Sequence, residues 1–379
     1  MAMSPVAFEV VRDIDRFRAL QSDWNDLWHR AEGEYFQSFA FCHGALEAED
    51  AASRRKLHCI AGRREGRLVV VWPLMTFWRS CWKYATALTP ANRSPSDILA
   101  SPEADVEQIV NGAWKAALRS TRADAIELWR IRSNSPLCRN ATRHGVIERG
   151  TEETTPYARL RDQGSWETFL RALPGRKKTR PEYLERRLAR HGEMKFEIID
   201  VNDSRVPSLV EWFVSRKREW AQHNLIDSRW TFSEASSKFW RSLLSNDSSG
   251  VGVFRLFVLT LAGEPVALNI VAVQATRAYL VANTYDLRHG KLTPGTVLVD
   301  YCVKWAFDNR LDMDFGPGDQ QYKSFWSAGH SYLTSSFLVI PTRWGQAGYA
   351  AKQVAKQLRT VSSNIAGRRT PERNPVHSP

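Results

Sequence analysis

The chain has 379 residues, 43% hydrophobic and 25% charged, with a formal net charge of +12. That is enough for two globular domains with a substantial core. The longest apolar run, 68–75, is too short to span a bilayer, and the start lacks the basic-then-apolar pattern of a secretory signal. The five cysteines are widely spaced and odd in number, which argues against a disulfide framework and for a reducing, cytoplasmic setting. The nine histidines show no ligand spacing, so no metal site is expected.

In chain order, 6–11 reads as a strand and 13–30 as an amphipathic helix, with Phe17, Leu20, Trp24, Leu27 and Trp28 at helical spacing. The run 57–75 reads as a hairpin around a Gly/charge turn, and 82–88 as a third strand. A polar loop at 91–99, a helix at 105–119 and a strand at 125–130 follow. The polar stretch 133–155 reads as a boundary. A short strand at 157–160 opens the second unit, and Ser165 caps a helix that Pro174-Gly175 stops. A basic stretch, helical from Pro181, leads to a strand at 196–199 and helices at 208–224 and 233–244. A hairpin, 253–261 with 266–274, is followed by a strand at 278–284 and a loop at 285–293. Helix 294–309, a strand at 311–315, a short helix at 318–327 and a last strand at 332–340 complete the unit. The segment from 343 starts as a helix and ends in a Pro/Arg-rich tail expected to be disordered.

The charge is local. Residues 171–190 carry eight Lys/Arg and two Glu, and 341–379 carry seven Lys/Arg and one Glu; the rest of the chain is neutral overall. These two segments read either as solubilising surface or as sites for a polyanion such as tRNA or an anionic surface. The halves also echo one another. "GRLVV" (66–70) matches "GEPVA" (263–267), and "SPSDIL" (94–99) matches "TPGTVL" (293–298), each in the same place relative to strands and helix. That pattern points to an ancient duplication.

Two places could carry chemistry. Thr293-Pro294-Gly295-Thr296 opens a helix just after a strand. A helix N-terminus offers free N–H groups and the positive end of a dipole to a phosphate, and glycine admits close approach. Plain capping accounts for the same residues. The second place is "DFGPGDQQYKSFW" (314–326), where a strand is broken by Gly316-Pro317-Gly318 and followed by Asp319, Tyr322 and Lys323. No P-loop, GxGxxG or nucleophile-elbow motif is present.

The run "YDLRHGKLTPGTVLVDYCVKWAFDNRLDMDFGPGDQQYKSFW" (285–326) resembles the C-terminal half of CelD-type acyltransferases linked to cellulose and exopolysaccharide synthesis. These are GNAT-fold N-acyltransferases related to the Fem-type aminoacyl transferases. "YFQSFAF" (35–41), the hairpin at 57–75 and "SPSDIL" extend the resemblance over nearly 6–340. It implies an α/β protein of tandem GNAT-like units, with mixed sheets flanked by helices. Residues 1–155 would form a non-catalytic first unit, 156–340 the acyltransferase unit, and 341–379 a basic tail. The donor implied is an acyl-CoA, acetyl-CoA or longer, or an acyl carrier protein, lying where the third and fourth strands of the second unit splay apart. Arg288, His289, Gly290 and Lys291 stand where the family's glycine-rich pyrophosphate loop would be, with fewer glycines. Lys291, Thr293, Gly295 and Thr296 are therefore the expected donor-binding set. Amide formation from a thioester needs a base for the amine, polarisation of the carbonyl and a proton for the thiol. Asp319 or Asp314 could be the base, Tyr322 the acid, and Lys323 the holder of a phosphate or acidic acceptor. An ion pair between Asp314 and Lys323, with Tyr322 as packing, is the purely structural alternative. The acceptor implied is a sugar or cell-envelope precursor. Two other readings stand beside this one: an aminoacyl-tRNA-dependent transferase, and a non-catalytic scaffold of a polysaccharide-synthesis complex.

Overall fold

A computed structural model describes residues 4–50, 53–90, 94–143, 146–173, 181–245 and 253–354. The first half runs β1 (Ala7–Val11), α1 (Ile14–Ala19), α2 (Gln21–Arg30), α3 (Phe39–Glu47), β2 (Lys56–Arg64), β3 (Arg67–Arg79), β4 (Trp82–Ala87), β5 (Leu99–Ala100), α4 (Val106–Thr121), β6 (Ala125–Arg132), α5 (Pro136–Ala141) and β7 (Val146–Ala158). The second half runs α6 (Trp166–Ala172), α7 (Pro181–Ala189), β8 (Met194–Asp200), α8 (Val206–His223), α9 (Arg229–Phe232), α10 (Glu234–Ser245), β9 (Phe254–Leu261), β10 (Glu264–Val273), β11 (Arg277–Tyr285), α11 (Pro294–Asp308), β12 (Asp312–Asp314), α12 (Gln321–Ser327) and β13 (Ser331–Ile340). A helical stretch over 343–354 follows.

One mixed sheet runs through both halves in the order β1-β2-β3-β4-β6-β13-β7-β12-β11-β10-β9-β8, with β5 on β3. The halves mirror each other about β13 and β7. In each, three antiparallel pairings are followed by one parallel pairing, β4 with β6 and β11 with β12. The echo between "GRLVV" and "GEPVA" has a physical basis. Both hairpins turn through two residues of positive φ, Glu65-Gly66 and Ala262-Gly263, the geometry that matches strand twist. Three residues after each glycine the longer strand carries one extra residue, Val69 or Val266.

The two halves also exchange strands. β13 closes the second half in sequence but pairs with β6 of the first, while β7 leaves the first half and pairs with β12. The expected division at 155/156 therefore falls inside β7, with paired residues on either side of it.

Strand alternation sends side chains to both faces. Cys59 and Ala61 face a core shared by α1–α3, α8 and α10, in which Phe41 meets Phe239 edge-on at 5.3 Å. Ile60, Val70 and Trp72 face α4 and α5. On that same side of the second half, α6, α7, α11 and α12 cover Leu259, Ala278 and Met313.

Some expectations are corrected. The helix expected over 13–30 is broken at Leu20, whose N–H turns back to the Phe17 and Arg18 carbonyls. The polar boundary 133–155 holds α5 and most of β7, and the strand expected at 157–160 is only the end of β7. Polar alternation hid this strand, because its partners lie nearly 200 residues away. The basic run 175–180 and the tail beyond 354 lie outside the described residues.

Candidate active site

β11 and β12 run parallel for three residue pairs, Arg277–Tyr279 against Asp312–Asp314, and then part. β11 continues for six more residues, and its pairing with β10 skips Val281, so the strand bulges just where it leaves β12. A bulge re-aims side chains and loosens pairing. β12 ends instead at Gly316-Pro317-Gly318. Gly316 (φ 67°) and Gly318 (φ 121°) hold conformations that a side chain would strain, and Pro317 has no N–H to offer a neighbouring strand. Asp314 accepts a bond from the Gly316 N–H at 2.9 Å, and Lys323 Nζ donates to the carbonyls of Gly316 (3.1 Å) and Pro317 (2.6 Å). The broken strand is thus fastened from both ends.

Beyond the parting lies a cavity of about 830 Å³. Leu280–Tyr285 of β11 form one wall, and Phe315–Pro317, Tyr322 and Lys323 another. Gly290, Thr293, Gly295 and Thr296 reach it from the start of α11. Phe213, Lys217 and Trp220 of α8, with Phe239 and Trp240 of α10, close the far side. The first half adds Tyr35, Phe41, Pro95 and Arg130. Every charged side chain on this lining is a cation: Arg130, Lys217 and Lys323. Burial pushes Lys323 down to about 8, partly opposed by Asp314 and Asp319. It does the same to Lys217, whose Nζ donates to the Asn283 carbonyl at 2.9 Å and sits 4.7 Å from the Trp220 ring centre. Burial raises Tyr322 to about 12, with a hydrogen bond to Asn283 pulling the other way.

Of the expected residues, Tyr322, Lys323, Thr293, Gly295 and Thr296 meet in this one cavity. Asp319 does not; it is exposed and lines an outer groove with His330 on the opposite side of Pro317. Asp314 does not either. It is buried behind the cavity, accepts from the Tyr332 hydroxyl at 2.9 Å, and stands 3.8 and 3.7 Å from Arg132 and Arg277. Arg132 in turn pairs with half-buried Glu34. The structural alternative for Lys323 also changes, since its hydrogen bonds go to backbone carbonyls.

Lys291 is exposed, and what it supplies locally is its carbonyl, which accepts from Arg187 at 2.8 Å. Thr293 holds the N-cap position but in a left-handed conformation (φ 55°) without a side-chain cap; its hydroxyl accepts from Arg187 at 3.3 Å. Arg288 is committed to Asp286. Gly295 packs closely on Tyr285: a Cβ there would meet Tyr285 Cδ1 at 3.1 Å, so the ring would have to give by a few tenths of an ångström. Arg187 and Arg130 were not singled out from sequence. Arg187 was findable: Leu184 and Leu188 bury one face of α7, which leaves Arg187 at the edge of that face, next to α11. Lys217 was legible only as one base on an aromatic helix.

Residues 176–324 match the family described as acetyltransferase (GNAT) domain. That match makes the second half an N-acyltransferase unit. Among solved structures, FemX shares 12% identity, with a TM-score of 0.58 over 90% of this chain and 99% of that one. L-PGS from Bacillus licheniformis shares 10%, with a TM-score of 0.52 over 95% and 98%. A conserved protein of unknown function from Bacteroides thetaiotaomicron shares 11%, with a TM-score of 0.52 over 89% and 100%. At these identities the likeness is one of fold. No curated protein matches the chain. Among the described residues, no helix is long and apolar enough to cross a membrane, and no group of three or more His, Cys, Asp or Glu is placed to hold a metal ion.

Proposed function

We propose that the chain transfers an acyl group from an acyl-CoA-type thioester to an amine or hydroxyl of a sugar or cell-envelope precursor in the cytoplasm, as the CelD-type resemblance implies. The observation that carries this reading is the parting of β11 from β12, which opens one cavity touching both the α11 start and the Tyr322–Lys323 pair. A thioester donor fits these residues. The gap admits a narrow arm, Thr284 Oγ1 is buried without a protein partner, and Arg187 places a cation beside the helix start.

When bound, such a donor supplies the acyl carbonyl and a departing thiolate. With two N–H groups of Lys323 spent on Gly316 and Pro317, the third is left to stabilise negative charge developing on the carbonyl oxygen. Tyr322 gives its hydroxyl proton to the thiolate. Among the described residues the cavity lining supplies no carboxylate, so the amine's proton leaves through water, and Asp319 in the outer groove can receive it. On this reading the first half shapes the cavity wall and holds no reacting group.

The FemX-like fold and the basic segments favour a second donor, an aminoacyl-tRNA. Calorimetric titration of the full chain with acyl-CoAs and with aminoacyl-tRNA separates the two. We expect acyl-CoA binding that Gly295→Val weakens at least tenfold by crowding Tyr285, and tRNA binding that is weak. No acyl-CoA binding at millimolar concentration would overturn the proposal. Tight tRNA binding that collapses with salt would replace it with the second reading.

A further inference from the structure

The cavity is far larger than an acetyl transfer needs. Its roughly 830 Å³ is at the upper end of sites for whole small-molecule ligands. The surplus is apolar and lies at one end. Asn283, holding Lys217 and Tyr322, marks the polar end where transfer would occur. Away from it the lining is Phe41, Phe213, Val214, Phe239 and Leu280, all buried. The space is continuous from the α11 start, along β11 past Asn283, into this apolar end. A linear amphiphile held by its phosphates at one end would therefore lay its tail at the other.

Resting on the reading above, we propose that the donor's acyl group is long, about eight carbons or more, and that its chain lies in the apolar end formed by α8, α10 and Leu280. An ammonium-bearing acceptor does not belong there, because the lining offers only cations to meet it. An acetyl group would leave the apolar lining facing water, whereas each methylene buried there gains transfer free energy.

The test is calorimetric titration of the full chain with CoA and with acetyl-, octanoyl- and palmitoyl-CoA below micellar concentration. The expected result is an affinity that climbs by up to about fourfold per methylene, so that octanoyl-CoA binds at least a hundredfold tighter than acetyl-CoA. Val214→Trp, which fills the apolar end, should abolish that climb and leave CoA itself binding as before. Trp230→Ala, at a half-buried lining position, should shift the optimum to longer chains. Equal affinity for acetyl- and palmitoyl-CoA would overturn the inference and leave the acyltransferase reading intact. Failure of every CoA ester to bind would overturn both. A flat donor series with tight binding of decylamine would put the apolar chain on the acceptor, which also overturns it.

Discussion

The two halves are built alike and end differently. In both, the third antiparallel strand of the unit runs parallel to the next for three residue pairs, Tyr84–Thr86 with Ala125–Glu127 and Arg277–Tyr279 with Asp312–Asp314. In the second half the strands then part around a cavity. In the first, the chain closes its own gap. Ser96 N–H and hydroxyl both donate to the Trp129 carbonyl, at 3.1 and 2.8 Å, and its hydroxyl accepts from the Trp129 N–H at 3.3 Å. Ser94 and Pro95 of the same loop turn outward and line the other half's cavity. Of two halves built alike, one thus has an opening and the other forms part of its wall. The difference shows in the sheet as well: β11 bulges at Val281 where it leaves β12, whereas β4 pairs with β3 without a register shift.

The comparison breaks most completely if the strand exchange is removed. A chain ending before β13 leaves β6 and β7 unpaired along their shared length, so neither half should fold. Circular dichroism and hydrogen exchange of a version stopped at 330 would show loss of both cores; a folded first half would mean that the halves are independent. The next largest effect should fall on Tyr322→Phe. The ring keeps its edge-on contact with Phe315 at 5.9 Å, so the melting temperature should hold while turnover drops roughly 10²–10⁴-fold. Unchanged turnover would remove the proposed acid.

Lys323→Met should lower turnover by about 10–100-fold through a lost charged hydrogen bond to the developing oxyanion, with the donor's apparent constant little changed. The sign of its pH effect follows from its position near 8: the working form is the ammonium, so activity should fall as pH rises through about 8. That falling limb should be absent in Lys323→Met. Smallest of all, Ser96→Ala should cost about 1 kcal/mol of stability, because it removes the two hydroxyl bonds to the half-buried Trp129 backbone and leaves the backbone N–H bond in place, with kinetics untouched. A change in donor binding would show that the plug in the first half is part of the site.

Much of this was legible in the sequence. The hairpin turns, the Pro294 helix start and the Gly-Pro-Gly break are local features, fixed by residues whose conformational preferences need no tertiary partner. Tyr322, Lys323 and the Thr-Pro-Gly-Thr turn were found for that reason. What escaped depends on distant chain. β7 is half polar and becomes a strand only against β13. Asp314 looked like a base beside a cavity, and only the positions of Glu34, Arg132, Arg277 and Tyr332 show it buried in an ion cluster.

The position of β13 also sets a timetable. The pairing that seals β6 joins residues about 200 apart in sequence; the Ser133 and Ser335 hydroxyls, for example, lie 3.2 Å apart across 202 positions. A ribosome adding about 5–20 residues per second needs roughly 10–40 s to cover that distance. Through that interval the first half is synthesised but holds an open strand edge, a template for pairing with the wrong chain. Assembly of the catalytic unit and completion of its neighbour are therefore one event. It waits for the synthesis of β13, which returns to a place left open beside β6.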